Sequence, residues 1–319
     1  MIPPDLKTRV GDLRQFASVR RIVLDDGAER GVRALAFSTG GGLDFWVMSD
    51  RSLDIGPLWW RGQSLAWQGP MGFRSPAYHD AEGDNGLGFG RSFSGFLVTG
   101  GLDHIRHPAN GQPLHGRLPF SPARVLAYGE DWNRAEPILF CEGEVMQARL
   151  GAEALRLRRR IEAPIGGSSL TLIDTVENLA NTPSPQASLY HFNLGFPAVA
   201  DGTVVAALNR TLLGPLRVPD AAMPSESVSY PVGAGDLAAC SVMTPQPDGG
   251  LMQVRFEWDA ASLPHLQLWH NLQPRVCVLS VEPCTSARRE GGLSDQEQSL
   301  APGEIRRYVV RVSVGVEAG

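Results

Sequence analysis

Apolar and polar residues alternate one for one through several long stretches of the chain. In "RRYVVRVSVGV", Tyr308, Val310, Val312, Val314 and Val316 fall on one side, and Val309, Arg311, Ser313 and Gly315 on the other. "LMQVRFEWD" sets Met252, Val254, Phe256 and Trp258 against Gln253, Arg255 and Glu257. "SSLTLIDTVENL" places Leu170, Leu172 and Val176 opposite Thr171, Ile173 and Thr175. A period of two over such lengths predicts half-buried antiparallel strands. Helical spacing is confined to "GDLRQFASVRRIVLDDG", where Leu13, Phe16, Val19, Ile22 and Val23 predict a short helix leading into a strand. Residues 1–30 therefore read as a helix/strand extension. No strand–helix unit repeats, which excludes a parallel doubly wound sheet. The expected fold class is all-β: one domain over residues 1–319, a large antiparallel β-sandwich.

Composition supports that reading. The 36 glycines and 24 prolines are spread along the whole length, as many short strands joined by turns require. "NTPSP" (181–185) and the longer 218–236 stretch read as surface loops, the second as a lid or insertion. The glycine-rich "GDNGLGFGRSFSGFLVTGG" lacks the G-x-G-x-x-G spacing and a strand-to-helix setting, so it reads as a structured loop beside a site and not as a phosphate cradle. Net charge is -5, so no basic footprint points to nucleic acid or an anionic membrane. The arginines of "LRLRRRIEAP" alternate with or follow leucines and read as the solvated face of a strand, with an anion site as the outside reading.

Four scattered cysteines make neither a disulfide framework nor a zinc-thiolate site. The N-terminus lacks the apolar core of a signal peptide, and no run of eighteen apolar residues occurs, so the expected location is the cytoplasm. A homodimer is left open.

Chemistry enters where polar residues interrupt apolar phrases. His191 in "YHFNLG" and Glu282 in "VLSVEPC" both stand in strand-like runs. Burying either without a partner costs on the order of 1–3 kcal/mol even for neutral groups. Two strands lining one cleft would resolve the conflict, with an imidazole facing a carboxylate across it for proton transfer; a buried polar network is the alternative. His104, His107 and His115 share one window, "GLDHIRHPANGQPLHGR", and could join Glu282 around zinc or iron, although their spacing fits no regular ligand pattern. Arg51, between Asp50 and Asp54, either closes a salt bridge at a strand end or holds ligand oxygens with its planar fork. Trp59, Trp60, Trp67 and Trp269 offer flat faces on which sugar C–H groups pack, or else belong to the core.

At these phrases the chain resembles the aldose 1-epimerase (galactose mutarotase-like) family. The order "LHG", then "HFNL", then "EP" is that of the family, and "DRSLDIG", "TGGLDHI" and "PLHGR" are similar to a bacterial branch whose substrates are mostly unassigned. The resemblance implies a large antiparallel β-sandwich and an isomerase that interconverts sugar anomers. It implies His191 as general acid and Glu282 as general base. Arg51, His104, His115, Trp269 and Asn193 are the implied sugar contacts. Neither metal nor cofactor is implied, because nothing is oxidised; the partner is a small sugar.

Three departures stand out. Arg117 replaces a second glycine after "LHG", His191 directly abuts Phe192, and the family's hydroxyl-binding aspartate has no counterpart. Near its expected place, "HLQLWHNL" supplies Gln267, Trp269 and His270. The rival readings are a silent carbohydrate-binding protein on the same scaffold, a metal-dependent isomerase using His104, His107 and His115, and epimerisation at a carbon other than C1.

Overall fold

A computed structural model of the chain describes residues 2–233, 235–295 and 298–317. Five strands near the N-terminus form one antiparallel sheet in chain order: Ser18–Val23, Arg33–Ser38, Leu43–Met48, Asp54–Trp60 and Gln63–Ser64. The expected N-terminal helix amounts to one turn, Leu6–Arg9, and a 3-10 turn, Leu13–Gln15. Ser18–Val23 is not an extension; it pairs with Arg33–Ser38 along its full length.

A nine-stranded antiparallel sheet runs, in spatial order, Arg210–Leu213, Val204–Ala207, Leu237–Pro245, Leu251–Asp259, Ile305–Glu317, Ser169–Asn178, Ala154–Pro164, Ile138–Ala148 and Arg124–Asp131. Its alternation is the one read from the sequence. Met252, Val254, Phe256 and Trp258 are buried, while Gln253, Arg255 and Glu257 are half-buried on the other face. A third antiparallel sheet orders Glu226–Pro231, His265–Asn271, Val278–Cys284, Ser184–Leu194 and Gln298–Leu300, with Leu97–Leu102 also paired to Ser184–Leu194. The 218–236 stretch is thus not all loop, because Glu226–Pro231 pairs with His265–Asn271.

The inner faces of the second and third sheets meet in one apolar cluster, where Phe192 lies 5.0 Å from Phe256 and Phe96 lies 6.2 Å from Phe256. This is the expected antiparallel sandwich, and the first sheet packs its own apolar face into the same cluster.

One expectation fails inside this core. Arg159, from the arginine-rich phrase, takes a position in the apolar row of its strand and is 1% exposed. Directly opposite it on the neighbouring strand stands Asp174, itself in the row of Leu170, Leu172 and Val176. Arg159 donates to Asp174 at 2.9 and 2.7 Å, to Asp54 at 2.6 Å and to the Thr99 hydroxyl at 2.9 Å. Tyr190 donates to Asp174 at 2.7 Å from the facing sheet. Burial pulls the guanidinium pKa down, and Asp174 and Asp54 outweigh it, so that pKa is raised. Among the described residues no helix is long and apolar enough to cross a membrane.

Candidate active site

Period two decides which way the polar residues of the third sheet turn. Tyr190, Phe192 and Leu194 enter the core, so His191 and Asn193 face the opposite side. Leu279 and Val281 enter it too, which turns Ser280, Glu282 and Cys284 outward. Phe192 pairs with Val281 and Leu189 with Cys284, a register that sets His191 opposite Glu282. Glu282 in turn pairs with Gln267. One row across neighbouring strands therefore reads Gln267, Glu282, His191.

That row floors a cleft of about 410 Å³. Loops carrying Phe89, Phe93, Arg106 and His115 line it together with the strand residues Trp269 and Ser227. Phe93 and Trp269 meet the His191 ring edge-on at 5.0 and 5.7 Å, and His115 does so at 5.6 Å. The glycine-rich stretch is the structured loop expected beside the site, since it supplies both phenylalanines.

The "LHG" phrase bends by left-handed backbone. His115 has φ 60° and Gly116 φ 79°, and a Cβ on Gly116 would come within 2.3 Å of the Gly101 carbonyl oxygen. Only glycine fits at 116.

His191 Nε2 lies 3.3 Å from Glu282 Oε1. Its Nδ1 is 2.5 Å from the Asn193 Oδ1. Asn193 donates its amide hydrogens to the Gly95 and His191 carbonyls at 3.0 Å each, and its Oδ1 also accepts from Ser280 at 3.0 Å. That network assigns Oδ1 as acceptor and Nδ1 as the protonated nitrogen, leaving Nε2 as the working nitrogen.

Glu282 is fully buried, and its Oε2 accepts from Gln267 at 2.6 Å. Its Oε1, the Gln267 Oε1 and the Nε and Nη1 of Arg106 are buried with no hydrogen-bond partner among the described residues. Buried polar groups are usually paired, and these four unpaired atoms belong to residues that line one cleft. Burial raises the Glu282 pKa above the ordinary carboxyl value, with His191, Arg106 and Gln267 pulling against it. Burial, then the charges of His191 and Arg106, push the His115 pKa well below the usual histidine value, which keeps that ring a neutral hydrogen-bonding group.

A family model described as a domain of unknown function, DUF4432, matches residues 29–314. The chain belongs to the DUF4432 family. No curated protein is similar enough in sequence to count as a match. Among solved structures, this DUF4432 chain is similar to a Klebsiella pneumoniae protein provisionally assigned as an aldose 1-epimerase. The TM-score is 0.84 at 21% identity, over 97% of this chain and 86% of that one. A galactose mutarotase-like protein from Clostridium acetobutylicum gives 0.64 at 12% identity, over 94% and 98% of the two chains. A galactose 1-epimerase from Lactobacillus acidophilus gives 0.59 at 12%, over 94% and 99%. At these identities the likeness establishes the fold.

The structure of this DUF4432 member sorts the residues expected from sequence. His191, Glu282, His115 and Trp269 all line the cleft. The acid and base candidates do not face each other across it; they stand side by side on adjacent strands. Asn193 is not a ligand contact, being 0% exposed behind His191, whose ring it orients.

Arg51 lies outside the cleft. It donates to the Arg74, Ser92 and Ser94 carbonyls and sits 4.3 Å from the Phe120 ring, so it anchors the loop that carries Phe93. Burial lowers its pKa to about 10. Neither flanking aspartate pairs with it, since Asp50 binds Arg33 and Asp54 binds Arg159.

His104 lines a separate hollow with Asp103 and Gln112, and its Nε2 meets the His107 carbonyl at 2.9 Å. The three clustered histidines therefore do not converge, and no group of His, Cys, Asp and Glu among the described residues is gathered as a metal ion requires. Arg117 ties Glu82, Gln112 and Gly111 together on the surface. Sequence reasoning missed Arg106, Arg288, Phe89 and Phe93 as cleft residues. Arg106 was in view, in the same window as the histidines, and nothing in spacing alone separates it from Arg51.

Proposed function

We propose that this protein is an aldose 1-epimerase-type isomerase that interconverts the anomers of an aldose by acid/base ring opening. The observation that carries the reading is the 3.3 Å approach of His191 Nε2 to Glu282 Oε1 at the cleft floor, with that oxygen otherwise unpartnered. A hemiacetal carbon bears two oxygens, the ring oxygen and O1, and adjacent donor and acceptor groups suit two oxygens on one carbon. Glu282 as carboxylate takes the O1 proton while His191, protonated on Nε2, gives its proton to the ring oxygen. The C1–O5 bond breaks and C1=O forms. Rotation about C1–C2 presents the other carbonyl face, O5 attacks, His191 recovers its proton from O5, and Glu282 returns its own to O1. Atoms and charges balance with no redox step. His115 and Gln267 supply neutral hydrogen bonds to hydroxyls, and Phe93 and Trp269 take the C–H face of the ring. The names carried by the structural neighbours agree with this chemistry.

Exchange NMR of anomer interconversion over a panel of neutral and acidic aldoses tests the reading. Acceleration above the buffer rate is expected for at least one sugar, and a flat panel would overturn it.

Two further results are expected. Glu282 acts as base only when ionised, and its pKa is raised by burial. kcat/KM therefore falls, as pH is lowered, through a point above the ordinary glutamate value of about 4.3. A limb at or below that value would exclude Glu282 as the base. Asn193→Ala frees the His191 ring to turn, and kcat drops by up to about a hundredfold with little change in KM. An unaltered kcat would show that the imidazole needs no such holder.

A further inference from the structure

We propose that the substrate carries an anionic group, making it an acidic sugar such as an aldose with a carboxylate or phosphate substituent, and that Arg106 and Arg288 receive that group. This inference rests on the sugar-site reading above and narrows its substrate class. Arg106 is 1% exposed and forms part of the cleft wall. Its Nη2 donates to the Ser286 carbonyl at 2.5 Å and to Cys284 Sγ at 3.2 Å, while Nε and Nη1 have no partner among the described residues. A guanidinium keeps its charge, so burial leaves a cation with two N–H groups that call for an acceptor, and an anion answers both needs.

The chain's other buried arginines are provided for. Arg159 has Asp54 and Asp174, and Arg51 has three carbonyls and an aromatic face. Arg106 has no ion pair among the described residues. Glu282 is engaged by Gln267 and His191, and Glu226 is exposed at the rim.

A second cation stands in the same wall. Arg288 is half-buried, lines the cleft, and makes no side-chain hydrogen bond or ion pair among the described residues. Neither Glu282, engaged with Gln267 and His191, nor Glu226, exposed at the rim, is paired with Arg106 or Arg288.

Arg106 adopts φ 95°, a conformation unfavourable for any residue with a side chain, and its carbonyl accepts from His115 N at 2.9 Å. Placement also fits. Cys284, which Arg106 touches, lies two residues beyond Glu282 on the same strand face, a step of roughly 6.6 Å. That step is comparable with the reach from an anomeric oxygen to a substituent elsewhere on the same ring.

Matched pairs separate this proposal from the reaction itself. Calorimetry and exchange NMR are run on glucuronate beside glucose and galacturonate beside galactose, with glucose 6-phosphate as the phosphate probe. At least one acidic sugar is expected to bind at least about tenfold more tightly than its neutral twin, the size of one charge-assisted hydrogen bond. Added salt narrows the gap, Arg106→Met closes most of it, and Arg288→Gln closes part. If Arg106→Met does not fold, the wild-type pairs and Arg288→Gln decide. Equal binding within every pair, or a preference untouched by the variants, overturns the anionic assignment and leaves anomer exchange standing. Tight binding of an acidic sugar without exchange supports it and removes the isomerase reading. No binding of any acidic sugar overturns it.

Discussion

Replacing Glu282 by Gln lowers the rate of anomer exchange by about two to four orders of magnitude, the usual worth of a positioned acid or base. The substitution keeps the volume and leaves a carbonyl-type oxygen to accept from Gln267 Nε2, now 2.6 Å from Oε2. Thermal stability is expected to hold or rise. Burial raises the Glu282 pKa, so the fold prefers the uncharged form that Gln imitates. His191→Ala should cost a similar factor in rate. The two effects together should fall well short of multiplying, because each group is useless without its partner. Exchange NMR on wild type, both single variants and the double variant, beside melting curves, gives the answer. A Glu282→Gln protein that keeps its rate would end the acid/base proposal, and one that merely unfolds would mean the carboxylate holds the sheet together.

Arg159→Met is expected to destabilise the protein by about 3–5 kcal/mol, because it leaves Asp54 and Asp174 as buried carboxylates without their cation. A change of that size consumes much of a typical domain's stability of about 5–15 kcal/mol. The network lies between the sheets, and Tyr190, which donates to Asp174, is the chain neighbour of His191. Loss of Arg159 should therefore loosen the strand that carries the proposed acid. Replacing Arg159 and Asp174 together by apolar residues should recover part of the loss, since paired burial removes one uncompensated charge. Urea denaturation of both variants measures this, and a cost below about 1 kcal/mol for the single change would mean water reaches the network.

Much of the site was legible in the primary order. Two polar residues in apolar strand phrases left open a shared cleft or a buried polar network, and both side chains line one cleft. What the phrases did not reveal was their relation. Adjacent strands in one register place His191 and Glu282 shoulder to shoulder, whereas the text of either phrase is equally compatible with opposite walls. The arginines were harder still. Arg51 stood after a strand with acidic neighbours and looked available, yet three carbonyls from one loop consume it. Arg106 drew no reading from the sequence, and only the fold shows that Cys284 and Ser286 take its Nη2 while its Nε and Nη1 stay without a partner among the described residues. Arg159 shows the same limit inside a strand, where the arginines read as a solvated face although one of them is buried opposite an aspartate.

The sequence by itself determined the long alternating strands, most of their inward faces and the two phrases that bear the proposed proton-transfer pair, because side-chain alternation is a local property with a fixed period. Tertiary structure alone decided which strands neighbour one another and which loops cross the exposed face. From that followed which charged groups were satisfied and which were left facing the cleft. Hydrogen bonding and burial are properties of groups far apart in the chain, and no local pattern encodes them.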